Sequence, residues 1–158
     1  METITITVYK DDVYEEVAKA TDYTGAKLID GDEKARDRIL ATDDELSDLG
    51  RFWEESVLAT NERLKEMVVS GETKELTTDE GTKMAYEAVL EVSKSFDKEL
   101  APNVQSALRN FFINSIIGQW FKFANKEEAT DYFTQAGDMM GGAERLLYSR
   151  KKPTRPKD

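Results

Sequence analysis

The sequence predicts a mainly α-helical protein: a helical bundle of three to four main helices with a short N-terminal strand and a possible β-hairpin around residues 72–96. Three observations predict this class. Segments in the middle and at the end of the chain carry apolar residues every three or four positions, the period of a helix with one buried face. Capping residues stand at the starts of these segments. The first residues instead alternate polar and apolar side chains, the period of a strand.

The N-terminal segment predicts a strand followed by a helix. Thr3–Tyr9 alternates threonines with β-branched apolar residues, which is typical of a strand with one apolar face. Asp11 or Asp12 is then expected to cap a helix. This helix runs to about residue 24, and Gly25 supplies its stop.

A long second helix is predicted to begin at Thr42. Thr42 and Glu45 have the spacing of a capping box, in which each side chain satisfies a backbone N–H at the helix start. The apolar stripe that follows continues to Val68, and Gly71 stands where a C-terminal cap is expected.

Residues 72–96 allow two interpretations. The segment Thr77–Glu80 has the spacing to open another helix. From Met84 onward, however, alternate residues are apolar, and Gly81 follows a threonine-rich stretch that fits a turn between strands. We favour the β-hairpin.

Two further helices are predicted near the C-terminus. Pro102 suits the first turn of a helix that runs to about residue 124. Asn125 and Glu128 repeat the capping-box spacing before a last helix with a regular apolar stripe to Leu147. Three glycines interrupt that stripe, at a cost in stability or because they permit close helix contact: Gly137, Gly141 and Gly142. We interpret the aromatic run before this helix as core, with a subunit interface as the alternative: Phe111, Phe112, Trp120, Phe121 and Phe123.

The chain has the length of one domain and is divided by no internal repeat or linker. We therefore expect a single helical domain over residues 1–148.

Residues 149–158, here called the basic arm, contain five cations and one acid, so that the −10 charge of the chain divides into −14 on residues 1–148 and +4 on the arm. Prolines disfavour helix there. The arm is either a solvated terminus or a segment that docks onto an acidic neighbour. Its candidate partner-binding residues are Arg150, Lys151, Lys152, Pro153, Arg155 and Lys157.

The composition excludes many kinds of chemistry. The chain contains no cysteine and no histidine, so thiol nucleophiles, disulfides and imidazole bases are absent. Pairs such as Glu62 and Glu66 lack the histidine companions of a di-iron site. The segment 30–33, Asp-Gly-Asp-Glu, is similar to the start of a calcium loop, but Lys34 and Ala35 stand where that loop needs other residues. We expect no enzyme activity, no catalytic, cofactor-binding or metal-ligating residues, and no small-molecule substrate.

No membrane segment or signal peptide is expected. The N-terminus lacks a basic region followed by an apolar one. The most apolar stretch, residues 111–124, contains polar interruptions and is shorter than a span requires. The acidic charge of residues 1–148 disfavours nucleic-acid binding by that surface, and we expect no sequence-specific contact with nucleic acid.

Several motifs resemble a known group of proteins. They are FFINSIIGQWF at 111–121, ANKEEA at 124–129, LYSRKKP at 147–153, and the helix from Val13 to Gly25. Together they resemble small proteins encoded among the virion structural genes of gut-bacterial tailed phages and prophages. The resemblance implies a neck protein, a head–tail connector or adaptor made in the bacterial host cytoplasm and located in the virion. It implies a ring of copies that contacts portal and tail or stopper proteins through a terminal arm, with no cofactor.

Two other functions are possible from the sequence. The charge of −14 on residues 1–148 suits an acidic phage-encoded inhibitor that mimics DNA and binds a host protein, but its acids are scattered over caps and helix exteriors. A carboxylate-based hydrolase would need two or three acids that converge in a pocket. We rank the adaptor first, the DNA mimic second and the hydrolase last.

Overall fold

A three-stranded antiparallel sheet packs one face against the helices. The computed structural model describes residues 2–28, 43–122 and 125–150. Within these ranges the fold is mainly α with a small sheet, and is not a pure bundle. The elements are β1 (Glu2–Tyr9), α1 (Lys10–Leu28), α2 (Asp43–Arg63), β2 (Val68–Thr78), β3 (Gly81–Val92), a 3-10 turn (Lys98–Leu100), α3 (Ala101–Phe121) and α4 (Lys126–Tyr148).

The strand order is β1-β3-β2, with β3 in the centre. Ala88 of β3 lies opposite both Ile6 of β1 and Gly71 of β2. The predicted N-terminal strand and the predicted hairpin are therefore both confirmed. Gly81 begins β3 with a φ of 110°, a left-handed conformation that glycine adopts without strain.

The predicted end of the second helix is wrong. The helix α2 ends at Arg63, and Val68 already belongs to β2. Leu64 stays buried, so the apolar spacing continues across the turn and imitates a longer helix. Gly71 is not a helix cap, because it lies inside β2, where a Cβ would collide with the side chain of Asn61. The capping box at Thr42 and the calcium-like segment 30–33 lie outside the described residues.

The predicted ends of α1 are also wrong. The helix begins at Lys10, so Asp11 and Asp12 lie in its first turn rather than at its cap. It continues through Gly25 to Leu28. A glycine inside a helix costs only about 1 kcal/mol relative to alanine, which the rest of a long helix offsets.

The core joins β1, β3 and the helices α1 to α4 in one hydrophobic cluster. At its centre Phe112 of α3 lies between Trp53 and Tyr86, with ring centroids 4.8 Å and 5.4 Å away. The interpretation of the aromatic run as core is confirmed for Phe111, Phe112 and Phe121, which are all buried. Trp120 is partly buried and packs against the same cluster. Phe123 lies outside the described residues.

The helices α3 and α4 form an antiparallel pair. Asn125 caps α4 as predicted, since its side chain accepts a hydrogen bond from the N–H of Glu128. The close approach of the two helices is at Gly118, where a Cβ would lie 2.7 Å from the ring of Phe133. Gly137 faces open space instead, so the idea of a close contact at that glycine is wrong. No helix in the described ranges has the length and apolarity needed to cross a membrane.

Candidate partner-binding site

The basic arm leaves the body of the protein at a fixed point. Leu147, in the last turn of α4, is buried. Ser149 caps the helix: its hydroxyl donates to the carbonyl of Arg145 at 2.7 Å, and its N–H donates to the carbonyl of Leu146 at 3.1 Å. With φ −68° and ψ 143°, Ser149 then turns the chain into an extended direction. The start of the arm is therefore held by the core and by a capped helix end.

An open cleft of about 280 Å³ surrounds this exit point. It lies between the end of α4, the turn after α2 and the end of β3. Glu66 and Glu91 line it together with Arg150, the first cation of the arm. Both acids are exposed, and neither forms a salt bridge within the described part of the chain. The arm therefore begins beside uncompensated negative charge.

Of the six predicted arm residues, the structure places only Arg150, which is exposed at the cleft. The other five lie outside the described residues: Lys151, Lys152, Pro153, Arg155 and Lys157. Their role in partner binding stays a prediction.

Sequence reasoning missed an apolar groove of about 510 Å³ between α2 and α4. Phe111 of α3 and Met140 of α4 line it, and Gly137 leaves room in it. Salt bridges Arg63–Glu144 and Glu62–Lys65 involve residues at its rim. Its apolar lining comes from residues that helix periodicity assigns to the core, so no sequence signal separates groove from core here.

Sequence reasoning also missed the polar contacts that attach α2 to the sheet. The Tyr86 hydroxyl donates to Asn61 Oδ1 at 2.6 Å, and Asn61 Nδ2 donates to the carbonyl of Gly71 at 2.9 Å. About two helical turns before Asn61, Trp53 Nε1 donates to Thr73 Oγ1 at 2.8 Å. These bonds place α2 under β2. No local sequence pattern could have found them, because each bond joins residues that are 10 to 25 positions apart in the chain.

Two of the shifted pKa values arise from contacts between different elements, and others arise from burial. Arg109 of α3 donates to both carboxylate oxygens of Asp12, at 2.5 Å and 3.1 Å, and this bond lowers the pKa of Asp12. The hydrogen bond to Glu87 raises the pKa of Lys74 across the outer face of the sheet. Burial raises the pKa of Tyr14 to about 12 and also raises that of Tyr86.

No cluster of three or more acidic side chains that could hold a metal ion occurs in residues 2–28, 43–122 and 125–150. The chain matches no protein-family model, no curated protein and no solved structure.

Proposed function

We propose that the chain is a phage virion structural protein that acts by assembly, as a neck or head–tail adaptor subunit in a ring between portal and tail. The observation that carries the proposal is the separation of charge between the acidic residues 1–148 and the basic arm. The sequence motifs that resemble virion structural proteins direct it towards the neck.

The proposed mechanism uses the helical core as a rigid wedge. Head-to-tail contacts between wedges form a ring, because a heterologous interface repeated around a rotation axis gives a closed cyclic assembly. The arm then binds the acidic surface of a neighbouring protein. The fixed exit at Ser149 supports this mechanism, since a held starting point limits the volume that the arm searches.

The distribution of ion pairs favours this proposal over a DNA mimic. A mimic needs an uninterrupted row of carboxylates at about the spacing of phosphates along one face. Here cations stand among the acids on several faces: Arg109 with Asp12, Lys74 with Glu87, and Arg63 with Glu144. The surface is mixed in sign.

The experiment replaces the five arm cations by glutamine in the phage that encodes the chain: Arg150, Lys151, Lys152, Arg155 and Lys157. Electron microscopy of the particles should show heads without attached tails. A matched control replaces the three arm lysines by arginine, which keeps length and charge, and should give tailed particles. Normal tailed particles from the glutamine variant would contradict arm docking. Normal particles from a deletion of the whole gene would contradict a structural role.

A further inference from the structure

The orientation of the peptide groups on β2 follows from the sheet register. The backbone N–H of Thr7 in β1 donates to Gln105 of α3 at 3.0 Å. The N–H and C=O groups of the odd-numbered residues of β1 therefore point away from β3. Antiparallel strands alternate the direction of their peptide groups, and the register carries this alternation through β3 to β2. In β2, the N–H and C=O groups of the odd-numbered residues therefore point away from β3, towards the open edge of the sheet. These residues are Gly71, Thr73, Glu75 and Thr77. The bond from Asn61 to the carbonyl of Gly71 agrees with this direction.

This edge of the sheet is open in the described part of the chain. The outward N–H groups of Gly71, Thr73, Glu75 and Thr77 have no hydrogen-bond acceptor among the described residues. Glu75 and Thr77 are exposed. An unpaired edge of this kind is a template for another strand.

We propose that β2 pairs with β2 of a second copy of this chain, antiparallel, with Thr73 opposite Thr73. In this register Glu72 of each copy lies opposite Lys74 of the other copy. Moving the symmetry centre by one residue places Glu72 opposite Glu72, or Lys74 opposite Lys74, and like charges directly opposite each other are unfavourable. Two copies of β2 therefore have complementary charges in the register that places Thr73 opposite Thr73.

The charges on the outer face of the sheet support a second copy as the occupant. Glu72 lies directly opposite Glu87 in its own sheet. Lys74 forms a salt bridge with Glu87 at 2.6 Å, while Glu72 forms none within the described residues. Lys74 of the second copy supplies the missing cation.

Two exposed apolar side chains stand near the same edge. Val69, at the bulge that begins β2, is 61 % exposed, and Leu58 of α2 is 66 % exposed. Leu58 is three residues before Asn61, which contacts β2, so the two share one side of α2. Pairing at this edge brings both side chains towards the second copy.

The basic arm does not fit the open edge. A strand added at this edge must donate backbone N–H groups from every second residue, either the odd-numbered or the even-numbered ones. Proline has no N–H, and Pro153 is odd-numbered whereas Pro156 is even-numbered, so each alternative loses one donor. The pairing is therefore separate from the arm contact of the proposed function. It is also isologous and ends at two copies, whereas the ring needs a head-to-tail contact.

Sedimentation equilibrium of the full chain over a range of concentrations tests the pairing. The wild-type mass should rise from one chain towards two. Glu75→Pro removes an outward N–H on each copy and no bond of the ladder to β3, so association should weaken about 30-fold. Thr5→Pro is the matched control, since it removes an outward N–H from the β1 edge, and should leave association unchanged. A wild-type chain that stays single at every concentration overturns the proposal, as does equal association of the two proline variants.

Charge reversal provides a second test that requires no proline. Lys74→Glu should weaken association, and the double change Glu72→Lys with Lys74→Glu should restore it, because the opposite charges face each other again. Failure of the double variant to recover overturns the register. The variant with five arm glutamines should associate like the wild type, so failure of arm docking and failure of edge pairing are distinguishable.

Discussion

The two edge strands of the sheet are attached to the helices in different ways. At the β1 edge, Gln105 of α3 accepts a hydrogen bond from the outward N–H of Thr7. At the β2 edge, α2 binds a side chain and a carbonyl, through Trp53 and Asn61, and its described side chains accept none of the outward N–H groups. The helices thus close part of one edge and position the other without closing it. Edge strands in proteins are usually blocked, so an open one indicates a contact surface.

The largest change expected at the β2 edge comes from Gly71→Ala. The new methyl group would collide with Asn61 and approach the Tyr86 hydroxyl to 2.9 Å, so the free energy of unfolding should fall by about 3 kcal/mol. Urea denaturation measures it. Gly137→Ala is the control, because that glycine faces open space within a helix, and it should gain up to about 1 kcal/mol. Equal effects of the two changes would contradict the close approach at Gly71.

A smaller loss is expected from Asn61→Ala. The change leaves the buried Tyr86 hydroxyl and the Gly71 carbonyl without this partner, which should cost about 2 kcal/mol. Asn114→Ala is the control, since among the described residues Asn114 bonds only the carbonyl of Asn110 one turn earlier, and should cost well under half as much. Denaturation of both variants side by side measures the difference, and equal losses would refute a special role for Asn61.

The pairing of Asp12 with Arg109, which ties α1 to α3 beside β1, predicts a pH dependence. The pKa of Asp12 is lowered in the folded protein, so its contribution is complete above the unfolded value and is lost as the pH falls towards the folded value. Both side chains are more than a third exposed, and Asp12→Asn should therefore cost only about 1 kcal/mol near neutral pH. The cost should shrink at about pH 3. Asp11→Asn, in the same helical turn but not bonded to Arg109, is the control, and denaturation experiments on both variants measure the difference.

The smallest effect is expected at the β1 edge. Gln105→Ala frees the N–H of Thr7, which water then accepts, so stability should fall by less than about 1 kcal/mol. Amide exchange of Thr7 should become faster. Gln105→Glu keeps an acceptor oxygen and should retain the protection. Unchanged exchange in the alanine variant would show that Gln105 does not close this edge.

Much of the fold could be predicted from the sequence, because local patterns determine it. Alternation gave β1 and the hairpin, and Asn125 marked the start of α4. The end of α2 differs from the prediction because Leu64 is buried at the turn and Val68 is partly buried at the start of β2, so that an apolar spacing of three and four continues past the helix. Periodicity reports which residues are buried and does not report whether the backbone between them is helical.

The candidate sites divide in the same way. The basic arm is evident in the sequence as a change of composition, whereas the cleft at its base joins residues from three distant segments. The open edge of β2 depends on the direction of its peptide groups, which follows from its pairing with β3. Contacts so far apart in sequence leave no local pattern.

Amide hydrogen exchange at the two edges tests the central claim most directly. The outward N–H groups of Thr73 and Glu75 in β2 should exchange more slowly as the protein concentration rises, because pairing with a second copy protects them. The N–H of Thr5, which points outward from β1, should exchange at a rate that does not change with concentration. Exchange at Thr73 and Glu75 that stays equally fast at every concentration would contradict the account.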